Sequence, residues 1–136
     1  MVSKIIKDTI WINSDSETVF NALTVENELL NWFPDLEAKI TLENGGDILF
    51  KWRDGAILKS KLLSVTLNQE LSYGFYGGPS EPVSFKLTSE KNGTRLDLLH
   101  TIPDGNNVDM LIDIASNWAH LLVGLKCWIE KKWDIR

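Results

Sequence analysis

Near the C-terminal end lies an apolar stripe whose period and length together demand one long helix. Between Val108 and Trp133, the residues Leu111, Ile114 with Ala115, Trp118, Leu121 with Leu122, Leu125 and Ile129 recur at steps of three and four, which stacks them on one helical face. Asp109 and Asp113 open the segment and Lys126, Lys131 and Lys132 close it, the order the helix dipole favours. Gly124 is the one internal breaker; it costs roughly 1 kcal/mol relative to Ala and predicts a close backbone approach there. At 1.5 Å per residue the helix runs on the order of 35 to 40 Å. It therefore needs a broad sheet to lie on.

The preceding residues supply that sheet. Lys4 to Ile12 alternates, with Ile6, Asp8, Ile10 and Ile12 on one face and Lys7, Thr9 and Trp11 on the other, so it reads as a first strand. Ser14 and Glu17 form a capping box that opens a short helix burying Val19, Phe20 and Leu23. Thr24 is placed to cap a second, Val25 to Trp32, which must end before Pro34. Turn residues at Asn44-Gly45-Gly46, Asp54-Gly55, Asn68-Gln69, Gly77-Gly78-Pro79 and Asn92-Gly93 then divide the chain into strands near 36–44, 47–53, 56–67, 70–76, 82–90 and 94–102. The third of these carries Lys59 and Lys61 and then Leu63, Val65 and Leu67 on the same parity, which a bulge reconciles. Alternation turns Ile48, Phe50 and Trp52 inward, then Leu71, Tyr73 and Phe75, Val83, Phe85 and Leu87, and Leu96, Leu98 and His100. The long helix is the element able to cover that face, so the expected class is α+β, one domain spanning 1–136.

Fourteen basic against nineteen acidic residues leave a net charge of −5, a field that opposes phosphate-backbone binding and makes nucleic acid an unexpected partner. Cys127 is the single cysteine, so no internal disulfide forms. The N-terminus around Ile5 and Ile6 carries Lys4, Lys7 and Asp8 and does not read as a signal peptide. No run is expected to span a membrane, and the default location is the cytoplasm.

A strand, two short helices, six strands and a long terminal helix is the order of the helix-grip fold. The phrases Phe20-Asn-Ala-Leu-Thr, Leu30-Asn-Trp32-Phe33, Gly45-Gly46-Asp-Ile-Leu-Phe, Gly93-Thr-Arg-Leu-Asp-Leu-Leu-His100 and the Trp118-containing helix resemble the START-like (SRPBCC) superfamily, and within it the C-terminal domain family of the activator of heat-shock protein 90 ATPase. The resemblance covers nearly the whole chain. It implies a curved antiparallel seven-stranded sheet wrapped around the last helix, with a cavity between them closed by the two short helices. Relatives of this kind include ligand carriers, cyclases and co-chaperone domains, so fold alone does not select a function.

Six tryptophans, Trp11, Trp32, Trp52, Trp118, Trp128 and Trp133, are more than a core of this size needs, which argues that some line a cavity. The expected ligand-binding residues are Trp32, Phe33, Phe50, Trp52, Tyr73, Phe75, Phe85, His100, Trp118 and Leu122. Taken singly, each ring reads as core; Trp32 and Phe33 serve equally as a lid or as a plug. His100 is the sharpest polar residue because parity turns it inward, with Asp8 first and Tyr73 second as candidate orienting partners. His120 is expected near solvent. One Cys and two His in no zinc spacing, and Asp104, Asp109 and Asp113 too helix-like for a calcium loop, argue against a metal. The glycine pairs lack a phosphate cradle's context, no Ser sits in a nucleophile elbow, and Cys127 reads as a passive helix residue. No cofactor and no catalytic residue is assigned. Three readings follow: a carrier of a small apolar molecule such as a lipid or aromatic compound, a co-chaperone-type module with a chaperone partner, and a cofactor-free enzyme using the same cavity.

Overall fold

The computed structural model describes residues 3–105 and 107–136. Strand β1 (Lys4–Ile12) leads into helix α1 (Ser16–Thr24) and the single turn α2 (Glu26–Leu29). Six strands follow, β2 (Glu37–Ile40), β3 (Asp47–Lys51), β4 (Ile57–Thr66), β5 (Glu70–Phe75), β6 (Gly78–Glu90) and β7 (Gly93–Ile102), and the chain ends on α3 (Val108–Lys131). The strands form one antiparallel sheet in the order β1-β7-β6-β5-β4-β3-β2. This is the helix-grip architecture that the residues predict.

Local chemistry differs from the expectation at several ends. The cap of α1 is Asp15, whose carboxylate accepts the Thr18 N–H at 2.8 Å, not Ser14. The Ser14 carbonyl accepts the Thr94 hydroxyl of β7. Thr24 does not cap α2: its hydroxyl donates back to the Phe20 carbonyl at 2.8 Å, so α2 starts uncapped at Val25 and ends at Leu29, short of Trp32. Strand β2 is four residues long, and residues 41–46 form the turn. The β6–β7 turn places its positive φ angles at Lys91 (53°) and Asn92 (63°). Gly93 is needed for a different reason: a Cβ there would lie 2.6 Å from the Ile12 carbonyl oxygen and from the Trp11 ring. The bulge in β4 falls between Leu62 and Ser64, where the one parity passes from lysine to leucine.

The largest difference is at Gly77-Gly78-Pro79. Only Tyr76 and Gly77 make the turn, and β6 begins at Gly78, with a register shift between Gly74 and Phe75 absorbing the sharp reversal. Strand β6 is thus thirteen residues long, and its extension carries Glu81 over the inner face.

Helix α3 is capped by the Asn107 side chain, which accepts the Met110 N–H at 2.8 Å, and ends where Lys132 turns left-handed (φ 58°), so Trp133 lies beyond it. Trp118, Leu122, Leu125 and Ile129 are buried, as the stripe predicts. The C-terminal half packs on β1 and α1, whereas Val108, Met110 and Ile112 in the first turns are exposed. By length and composition α3 would suffice to cross a membrane, contrary to the expectation that no run does; its apolar stripe is what builds the core here. The tail returns along the helix, with Ile135 against Gly124 and the Arg136 guanidinium donating to the carbonyls of Phe33 and Leu30.

Candidate functional site

The sheet's inner face and the first half of α3 do not close on each other. Between them lies a cavity of about 550 Å³, within the range of about 300–1,000 Å³ usual for small-molecule sites. The sheet contributes Phe75, His100 and Ile102 with Trp52 beyond the end of β3; the helix contributes Met110, Ile114, Asn117, Trp118 and Leu121; and Phe33 comes from the loop after α2. Tyr76 and Glu81, from the β5–β6 turn and the start of β6, stand on the rim with His120. Tyr76 is 56% exposed and Met110 48% exposed, so the cavity opens to solvent on that side. A second depression of about 490 Å³ lies on the sheet's outer face, lined by Leu49, Lys59, Lys61 and Pro79 among others, with no helix residue among its described lining.

Aromatic packing decides which rings line the space and which only fill the core. Phe33 stacks on Trp32 at 5.2 Å and meets Trp52 and Trp118 edgewise or tilted, each at 5.5 Å. Trp32 is locked behind it, 2% exposed, with its indole N–H on the Ala22 carbonyl at 2.8 Å. Trp52 donates to the Phe33 carbonyl at 3.1 Å, which pins the Phe33 loop against the sheet. Phe50, Tyr73 and Phe85 form a buried row at 6.1 and 6.0 Å, and burial pushes the Tyr73 phenol far above its ordinary pKa. Of the ten expected ligand residues, Phe33, Trp52, Phe75, His100 and Trp118 border the cavity; Trp32, Phe50, Tyr73, Phe85 and Leu122 belong to the core behind it.

His100 is fully buried, and its neighbours fix its tautomer. The Trp118 indole N–H donates to His100 Nδ1 at 2.9 Å. An indole nitrogen can only donate, so Nδ1 holds the lone pair and the ring proton sits on Nε2. That N–H donates to Glu81 Oε2 at 2.7 Å. The second carboxylate oxygen, Oε1, accepts the backbone N–H of Gly77 at 3.2 Å, tying the turn to the pair. Burial lowers the His100 pKa from its ordinary value of 6.5, against an opposing pull from the Glu81 hydrogen bond and charge. Loss of the Trp118 bond on protonation of Nδ1 reinforces the lowering, so the imidazole is neutral at pH 7. Both ring nitrogens are engaged, and of this pair it is the Glu81 carboxylate that is left with acceptor capacity.

Glu81 replaces both partners expected for His100. Asp8, on β1, pairs across to Leu98 of β7 and accepts the Thr9 N–H, while Tyr73 lies deeper in the core. Glu81 was not legible because the glycine-proline run reads as a break and leaves it in a loop. Tyr76, Ile102, Met110, Ile114, Asn117 and Leu121 were also missed; for Ile114 and Leu121 the helical stripe carried the signal. His120 is exposed, as expected. Cys127 is half-buried and free, and no group of three His, Cys, Asp or Glu side chains able to hold a metal occurs among the described residues.

Comparison with known proteins agrees with this architecture. A protein from Staphylococcus saprophyticus superposes with a TM-score of 0.85 at 18% identity, covering 98% of this chain and 96% of that one. The Aha1 dimer from Colwellia psychrerythraea gives 0.80 at 22% identity, covering 96% and 98%. A Mesorhizobium loti protein gives 0.83 at 19% identity, covering 97% and 100%. At these identities the likeness shows the fold. No curated protein matches the sequence. Residues 13–130 match the family described as activator of Hsp90 ATPase homolog 1-like protein, and the chain belongs to that family, within the helix-grip SRPBCC superfamily.

Proposed function

We propose that this chain is a cytoplasmic binding protein that holds a small, mainly apolar molecule between the sheet and the first half of α3. The observation that carries this reading is the cavity of about 550 Å³ with mainly aromatic and aliphatic walls and the Glu81 carboxylate among its few polar groups. An apolar surface of that extent left open to water costs free energy that a bound molecule recovers. The Glu81 carboxylate would orient the ligand, and the rings of Trp52 and Trp118 would flank it. Ile114 borders the space from the helix, so the blocking substitution is Ile114→Phe. The test is fluorescence titration with the neutral dye phenylnaphthylamine: saturable binding by the wild type, weakened at least about tenfold by Ile114→Phe at unchanged melting temperature, is expected. Equal binding by both proteins, or none by the wild type, would refute it.

A second reading is a protein-interaction module of the co-chaperone type. Family membership supports this reading more directly than it supports a ligand carrier, and the exposed Val108, Met110 and Ile112 give α3 an apolar surface for it. Its test is the ATPase rate of Hsp90 with and without the chain. Stimulation that survives Ile114→Phe would favour the module over the carrier.

A further inference from the structure

The cavity carries a charge that its apolar walls do not account for. Its polar lining includes Glu81, His100, Asn117, His120 and the Tyr76 phenol, with no lysine or arginine among the described lining residues. The Glu81 side chain is 17% exposed and has His100 as its ion-pair partner. That partner brings no positive charge, because Trp118 occupies Nδ1 and leaves the ring neutral. The other contact is the backbone N–H of Gly77. A carboxylate offers about four lone-pair positions, so two hydrogen bonds leave acceptor capacity facing the cavity. A carboxylate largely withdrawn from water, with no counter-charge, is costly unless a cation joins it.

The rings beside Glu81 are suited to supplying the rest of a cation site. Phe75 lies 4.9 Å from Tyr76 and 5.7 Å from Trp118, centroid to centroid, so one charge can stand within about 6 Å of more than one ring face. Burial, and after it the charge of Asp54, pushes the Tyr76 phenol up, so Tyr76 stands at the rim as a neutral ring. The chain as a whole is at −5, a field that draws cations toward the mouth.

We infer that the ligand, on the reading of the cavity given above, is a hydrophobic cation: an amine or quaternary ammonium on an apolar body, its charge held by Glu81 and the Phe75, Tyr76 and Trp118 rings. The apolar body extends toward Trp52 and Ile114. A neutral ligand of the same shape forgoes both the carboxylate and the ring faces.

A matched pair of probes separates charge from shape. Naphthylmethyl trimethylammonium and neopentylnaphthalene differ by a charged nitrogen in place of a carbon, and each is titrated into the intact chain by calorimetry. The ammonium is expected to bind at least about tenfold tighter, with the ratio falling as salt rises. Glu81→Gln should bring the ratio close to one, the loss falling mainly on the ammonium. If that variant melts far below the wild type, the salt dependence of the wild-type ratio decides instead, and a salt-independent ratio overturns the inference. Equal or tighter binding of the neutral probe overturns the cation class and leaves the cavity reading standing. Binding of neither probe overturns both. A preference that survives in folded Glu81→Gln removes Glu81 as its source and overturns the inference.

Discussion

Trp118→Phe isolates the hydrogen bond that sets the state of His100. The substitution keeps an aromatic ring against Phe33, Phe75 and Phe85 but deletes the only atom of Trp118 able to donate to His100 Nδ1. Nδ1 is then a buried acceptor without its partner, a loss of about 1–3 kcal/mol. Trp118 is 2% exposed, so the smaller ring also forfeits packing worth about 1 kcal/mol. The sum is about 2–4 kcal/mol, or a melting temperature lower by about 8–16 °C for a chain of this length. The pH dependence should change as well. In the wild type the unfolded chain protonates His100 near 6.5 and the folded chain only below that. Between those values the unfolded state binds more protons, so the His100 contribution to stability is intact above about 6.5 and is lost as pH falls through the folded value. Phe at 118 frees Nδ1 to take a proton beside Glu81, which raises the folded pKa and shrinks the acid loss. Thermal melts at several pH values between 4.5 and 7.5, roughly spanning the titration of His, read both effects. A variant that melts within about 2 °C of wild type at pH 7 and loses stability on acidification as steeply would refute this account of the pair.

Leu122→Ala, at a side chain 2% exposed, should cost about 2–5 kcal/mol by urea denaturation, and an unchanged midpoint would contradict the placement of α3. Gly124→Ala should stabilise by about 0.5–1 kcal/mol, since a Cβ there meets only Ile135 at 3.8 Å; a lower melting temperature would mean the tail packs more tightly than that distance allows. Gly93→Ala should destabilise by about 1–3 kcal/mol because its Cβ would strike the Ile12 carbonyl and the Trp11 ring, and the same melts check it.

The fold was legible because its signals are local and repeated. Helical spacing from Leu111 to Ile129 and strand alternation ending in Leu96, Leu98 and His100 depend on neighbours in the chain, and Trp118 and His100 were each turned toward the core by their own element's period. Their hydrogen bond was not legible, since it depends on where along the sheet α3 crosses. The same holds for Glu81, nineteen residues from His100. A tight turn at Tyr76 and Gly77, with a register shift beside it, converts what reads as a loop into strand. Gly124 illustrates the opposite error: a glycine in a helix suggested a close contact, yet the space beside it accepts a methyl group. Split by the cavity wall, the aromatic set divides into lining and core according to indole bonds such as Trp32 to Ala22, which no periodicity encodes.

The central claim is that the space between α3 and the sheet receives a ligand. Its most direct test is a heteronuclear NMR titration that follows the six tryptophan indole N–H signals while phenylnaphthylamine is added. Trp52 and Trp118 border the cavity, Trp32 lies behind Phe33 in the core, Trp11 and Trp133 are surface residues and Trp128 is bonded to Glu28 on another part of the helix. Saturable shifts are expected at Trp52 and Trp118, with Trp11, Trp128 and Trp133 unmoved. Shifts confined to Trp11 or Trp133, or no saturable shift at any indole, would contradict it.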